Sequence, residues 1–150
     1  MHPTTDGRTP LGRWTRRALV LAAAAIVGVL GVARRLEPDP SGMGTHRQLG
    51  LPPCGFALLT GRPCPSCGMT TAFAWSARAR PVRAWQANPA GALLALACPF
   101  VAAWLLGSAA LGRPWGTATL ERPLIGLVVA TLAISLLAWL PRMLLPGRAL

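Results

Sequence analysis

No tyrosine and no lysine occur in this chain of 150 residues, and only four side chains are acidic: Asp6, Glu37, Asp39 and Glu121. Each shortage excludes something. Carboxylates scattered through tails and links give no pair for general acid–base work. The long apolar segments hold no charged side chain, so a proton or ion relay has no carrier, which counts against a pump or transporter. There is no G-x-S-x-G and no phosphate-binding loop. Without tyrosine, one partner for quinone chemistry is gone. The missing lysines mean less: the fifteen basic residues are all Arg, and with abundant Ala, Gly and Pro this reads as the codon bias of a GC-rich genome. Charged residues make up 13% of the chain and hydrophobic ones 53%, against about 25% charged in a soluble domain. Composition therefore points to an integral membrane protein.

The net charge of +11 raises the possibility of a nucleic-acid partner, but the arginines bracket apolar segments instead of forming one stripe. Arg13, Arg16 and Arg17 precede the first segment, and Arg34 and Arg35 follow it. Arg113 and Arg122 lie between the last two segments, and Arg142 follows the final one. Charges so placed snorkel to headgroups and attract anionic lipid. The expected partner is the bilayer, with a second membrane protein as a further candidate, and no nucleic acid.

The hydropathy pattern predicts an all-α, multi-pass fold of three spanning helices, at about 16–34, 90–112 and 123–141, in one membrane domain over 14–142. Residues 1–13 and 143–150 read as tails. A secretory leader is the rival reading of the first apolar run, and Arg34-Arg35 directly behind it argue for a retained helix. Asn88-Pro89 is a helix start, with Asn as N-cap and Pro in the first turn. Trp14, Trp115 and Trp139 fall where an aromatic belt is expected. Between the first two spans, residues 34–50 are rich in Pro and Gly, and 51–78 form a Cys-rich element too broken to cross a bilayer, either interfacial or re-entrant. Within it, Cys64–Ala77 reads as a helix that stops before Pro81. The arginines ahead of the first span favour a cytoplasmic N-terminus, yet Arg78, Arg80 and Arg83 would then lie outside, against the positive-inside tendency.

Three of the four cysteines, Cys54, Cys64 and Cys67, sit in the broken element. A C-x-x-C pair has three common uses. One is half of a zinc site, with Cys54 as third ligand and His46 or Cys98 as fourth. Another is thiol–disulfide exchange at Cys64 and Cys67, where a helix N-terminus behind Cys64 would favour its thiolate. The last is a structural staple, Cys64–Cys67 or Cys54–Cys67, holding an irregular loop. Haem attachment fails because Gly68 stands where C-x-x-C-H needs His. Against these, Cys98 alone reads as a small buried residue, His46 as a solvated residue in a link, and Gly55 and Gly68 as residues that permit left-handed turns.

The stretch Cys54-Gly55, Cys64-Pro65-Ser66-Cys67-Gly68-Met69-Thr70, Ala72-Phe73 and Asn88-Pro89 resembles a bacterial membrane family, the domain-of-unknown-function 2752 family. Its members are similar in being small and multi-pass, with a C-P-x-C-G-x-T-R-A core. This chain matches through Thr70 and then has Thr71 in place of Arg; if that Arg binds an anion or pairs with a carboxylate, the role is either lost here or supplied by Arg78. The resemblance implies a family, a topology and a bacterial inner-membrane location. It implies no activity. The expected function is a structural or partner-binding envelope component, with zinc as the candidate metal at Cys54, Cys64 and Cys67. The alternative is a membrane thiol–disulfide oxidoreductase using Cys64 and Cys67.

Overall fold

The computed structural model describes residues 10–144. The expected tails therefore lie largely outside the described residues, as does Asp6. Six α-helices follow in order: α1 (Arg13–Arg35), α2 (Gly55–Thr60), α3 (Met69–Ser76), α4 (Pro81–Ala87), α5 (Pro89–Leu111) and α6 (Glu121–Leu144). A 3-10 turn spans Thr45–Leu49 ahead of α2.

Helices α1, α5 and α6 are long and apolar enough to cross a membrane, with mean hydropathies of 1.9, 2.0 and 2.3 over their best windows. At about 1.5 Å per residue, 23 or 24 residues give roughly 35 Å, enough for a ~30 Å core with some tilt. All three expected long apolar helices are present as candidate spans, and the fold is all-α with the cysteine cluster between them.

Helix α5 is the centre. A third of its apolar window is buried, against 6% for α6. Helix α1 packs along α5 through small residues: Leu19 and Ala23 meet Ala102, Leu105 and Ala109. Two of the five buried residues of this core come from α1. Helix α6 packs on α5 and not on α1. Its exposed Leu, Ile and Val side chains form a face suited to lipid.

The ends of the helices fix the topology. The Leu11 amide donates to the Gly112 carbonyl (2.8 Å), and Arg16 Nε donates to the Ala109 carbonyl (2.6 Å), so the start of α1 meets the end of α5. Leu120, just before α6, packs at the same end. Residues 36–88 all gather at the opposite end, with the C-terminal parts of α1 and α6. Neither α2 nor α3 is long enough to cross.

One local expectation is corrected. The helix expected over Cys64–Ala77 begins only at Met69, because Gly68 has φ +86° and cannot continue a right-handed helix. The helix ends at Ser76, before Pro81, as expected. Pro81 occupies the first turn of α4, where its missing N–H is no loss.

Candidate functional site

The cysteines come together from two segments. Cys54 is the N-cap residue of α2, and Cys64 and Cys67 lie in the turn between α2 and α3. Their three sulfurs all lie within 4.8 Å of one another. The Cys64 and Cys67 sulfurs are 3.1 Å apart, and the backbone N–H of Cys64 points at the Cys67 sulfur from 3.2 Å. All four cysteines are free thiols. Cys98, on α5, is not part of the cluster.

The turn is held by its carbonyls. Pro63 and Pro65 have no N–H to satisfy, so the polar demand of this stretch falls on C=O groups. Asn88 meets two of them: its amide Nδ2 donates to the carbonyls of Pro65 (3.1 Å) and Cys67 (3.0 Å). Its Oδ1 simultaneously accepts from the Gly91 amide (2.8 Å), capping α5. Ser135 of α6 donates its hydroxyl to the Pro65 carbonyl (2.8 Å), and Trp139 donates its indole N–H to the Pro63 carbonyl (2.8 Å). The turn is thus bolted to two of the long helices at the level of the Trp139 belt.

Gly68 completes the joint. A Cβ there would stand 2.5 Å from the Ala87 carbonyl oxygen and 2.8 Å from that of Gly42. Gly55, by contrast, is an ordinary helical residue with open space around it, and its expected left-handed role does not arise. Thr70 lines the cavity beside the cysteines. Pro89 is the first residue of α5, as its sequence position implies.

That cavity, about 350 Å³, is bounded by the three cysteines, His46, Arg47 and Gly44 among others. His46 is half-buried beside this cavity, with exposed residues following it. It stands on the 3-10 turn, which is locked by a buried hydrogen bond between the hydroxyls of Thr45 and Thr71 (2.8 Å). Thr71 thus joins two segments within the protein. Arg78 is not among the residues lining that cavity; its Nη1 donates to the carbonyls of Ala33 (3.3 Å) and Ala74 (3.0 Å), joining α1 to α3.

The thiols differ electrostatically. The Ala57 backbone N–H, then the Cys67 and Cys64 thiols, lower the Cys54 pKa from its ordinary value, although the N-cap geometry falls short of a full capping hydrogen bond. Burial, with the Cys64 thiol beside it, pushes the Cys67 thiol up to about 12. The helix N-terminus expected behind Cys64 is displaced to Met69, so α3 does not act on Cys64 through its first turn.

Segment and turn together carry the comparison with known proteins. Residues 54–102 match the family described as Protein of unknown function (DUF2752). The DUF2752 match covers about a third of the chain, beginning at Cys54 and ending within α5. It contains the three clustered cysteines, Gly68 and Asn88, and leaves out His46, Ser135 and Trp139. No curated protein and no solved structure matches the chain.

Ser135 and Trp139 were legible only in part. A serine in the apolar run Ala133-Ile134-Ser135-Leu136 is a signal of its own, since a buried hydroxyl seeks a partner. Trp139 reads from sequence as a belt residue, and its second role as a donor to the turn has no sequence signature.

The donor set fits a tetrahedral zinc. Zinc–sulfur bonds of about 2.3 Å place sulfurs ~3.8 Å apart. The Cys64 and Cys67 sulfurs would separate slightly and the cluster as a whole would close on the ion.

Proposed function

We propose that this protein is a non-enzymatic component of a bacterial cell membrane, in which Cys54, Cys64 and Cys67 bind a zinc ion that stiffens the segment between α1 and α5 as a docking face for another membrane protein. The observation that carries this reading is the convergence of three sulfurs from two segments to within 4.8 Å. A dithiol exchange site needs two sulfurs, whereas three is the number a zinc site requires before its fourth position is considered.

Charge distribution supports an orientation. At the cysteine end stand Arg34, Arg35, Arg47, Arg62, Arg78, Arg80, Arg83 and Arg142; at the other end of the described helices stand Arg13, Arg16, Arg17, Arg113 and Arg122. Since the Cys-rich segment does not cross, the positive-inside tendency favours the cysteine end as cytoplasmic, reversing the orientation that the N-terminal arginines alone suggest. A reducing cytoplasm keeps thiols free for metal and works against a disulfide staple.

The second reading, thiol–disulfide exchange, is favoured by the 3.1 Å contact between Cys64 and Cys67. There the two thiols would give two electrons and two protons to a substrate disulfide, forming the Cys64–Cys67 bond as the substrate becomes a dithiol.

Single Cys→Ser variants separate the two. The zinc reading expects Cys54→Ser, Cys64→Ser and Cys67→Ser each to lose metal and stability alike. A Cys64→Ser protein that keeps its fold and its metal content, but loses a cellular disulfide-reduction phenotype, would establish the exchange reading instead.

A further inference from the structure

We infer that His46 is the fourth ligand, closing the cysteine cluster as a Cys3His site through its Nδ1 atom. This rests on the zinc reading above and decides what kind of zinc site it is. A site closed by four protein ligands is structural, whereas three ligands and a water leave a catalytic position open.

Three observations carry it. First, His46 lines the same cavity as Cys54, Cys64 and Cys67, standing outside the 4.8 Å group that the three sulfurs form, so its ring would have to turn inward to close on an ion there. Second, its Nε2 lies 3.2 Å from the Pro52 carbonyl oxygen. A carbonyl only accepts, so the nitrogen facing it carries the proton, and Nδ1 keeps the lone pair. Metal-bound histidines show this arrangement, one ring nitrogen on the ion and the other donating to a carbonyl or carboxylate. Pro52 is also two residues from Cys54, so this contact ties the histidine to the strand of chain that bears the first sulfur.

Third, the backbone under His46 is fixed. Thr45 is fully buried, its hydroxyl bonded to Thr71 and accepting from the Asp39 amide (3.0 Å). Gly44 and Gly50 close both ends of the turn in the left-handed conformation. A ligand on such a turn loses little freedom on binding. Arg47, next in sequence and on the same cavity wall, offsets the single negative charge that three thiolates and a neutral imidazole leave around a divalent ion. Cys98, the other residue considered for this position, stands apart on α5.

The test uses cobalt(II) as a spectroscopic stand-in for zinc in the full chain in detergent. The wild-type protein is expected to give a tetrahedral, thiolate-rich cobalt spectrum that added imidazole does not change. His46→Gln leaves the Thr45–Thr71 lock intact and is expected to bind zinc at least tenfold more weakly. Its cobalt spectrum should then shift on adding imidazole, which fills the vacated position. His46→Cys provides a check independent of affinity, with sulfur-to-cobalt charge-transfer intensity rising from three thiolates to four. A wild-type spectrum that already responds to imidazole, or a His46→Gln spectrum identical to wild type, would overturn the assignment of His46 while leaving the three-cysteine reading intact. Failure of the wild-type protein to bind cobalt or zinc at all would remove both.

Discussion

The three long helices and the segment between α1 and α5 are held together by different means. The long helices meet through alanines and leucines and turn most of their bulk outward; of all α6, only Ser135 is buried. The cysteine segment buries few large side chains. It is fixed by point contacts, in which single amide, hydroxyl and indole groups meet backbone carbonyls and one glycine leaves room for two more. One half is specified by a pattern, so that many residues share the work. The other is specified by individuals, so that few can change.

The sharpest break in this contrast is expected at Gly68. An alanine there takes a left-handed conformation and drives its Cβ into two carbonyl oxygens, at a cost of about 3 kcal/mol or more. Gly68→Ala should open residues 36–88 to proteolysis while α1, α5 and α6 remain inserted, as protease mapping in vesicles would report. Unchanged protection would mean that the segment is not built around this joint.

Asn88→Ala comes next, at about 2–3 kcal/mol, since it takes the side-chain partner from the Cys67 carbonyl and from the Gly91 N–H and leaves the Pro65 carbonyl with Ser135 alone. Asn88→Asp sharpens the comparison by keeping the cap on Gly91 while losing both donors to the turn. Thermal unfolding in detergent should rank wild type above Asn88→Asp and Asn88→Ala. Equal stability of Asn88→Asp and wild type would assign Asn88 to the cap alone.

Ser135→Ala should cost about 1 kcal/mol, whereas Leu132→Ala, on the outward face of the same helix, should stay within about 0.5 kcal/mol. If both cost the same, α6 is held by general packing and not by its contact with the turn.

The smallest effect belongs to Asp39. The Ser41 hydroxyl, then the Ser41 backbone N–H, hold its pKa below 3.8. A lowered carboxylate pKa means stability that is present above the unfolded value and lost as pH falls through the folded one. Ser41→Ala should therefore weaken the acid sensitivity of this segment below about pH 4 and change nothing at pH 7 beyond the lost hydrogen bond. A pH titration of unfolding, wild type against variant, reads the difference.

The same contrast explains what the sequence made legible. Hydropathy alone locates α1, α5 and α6, because a bilayer demands some twenty apolar residues in a row. Asn88-Pro89 announces the start of α5 because capping is local. The second use of Asn88, toward Pro65 and Cys67, is invisible because those residues lie more than twenty positions away and leave no periodic trace. The helix expected from Cys64 onward starts late for a related reason. The left-handed joint at Gly68 is imposed by Ala87 and Gly42, which only the folded chain brings near. His46 reads as a link residue until Thr45 is seen buried against Thr71. Grouping Cys54 with the C-x-x-C pair needed no structure beyond the short loop between them, whereas separating Cys98 from it did.

Metal content measured together with free-thiol count, on protein purified in detergent without chelator, tests the central claim most directly. The account predicts about one zinc per chain, with Cys54, Cys64 and Cys67 protected from thiol reagents until a chelator removes the ion. Protein that carries no metal, and whose three cysteines react freely or are already joined in a disulfide, would contradict it.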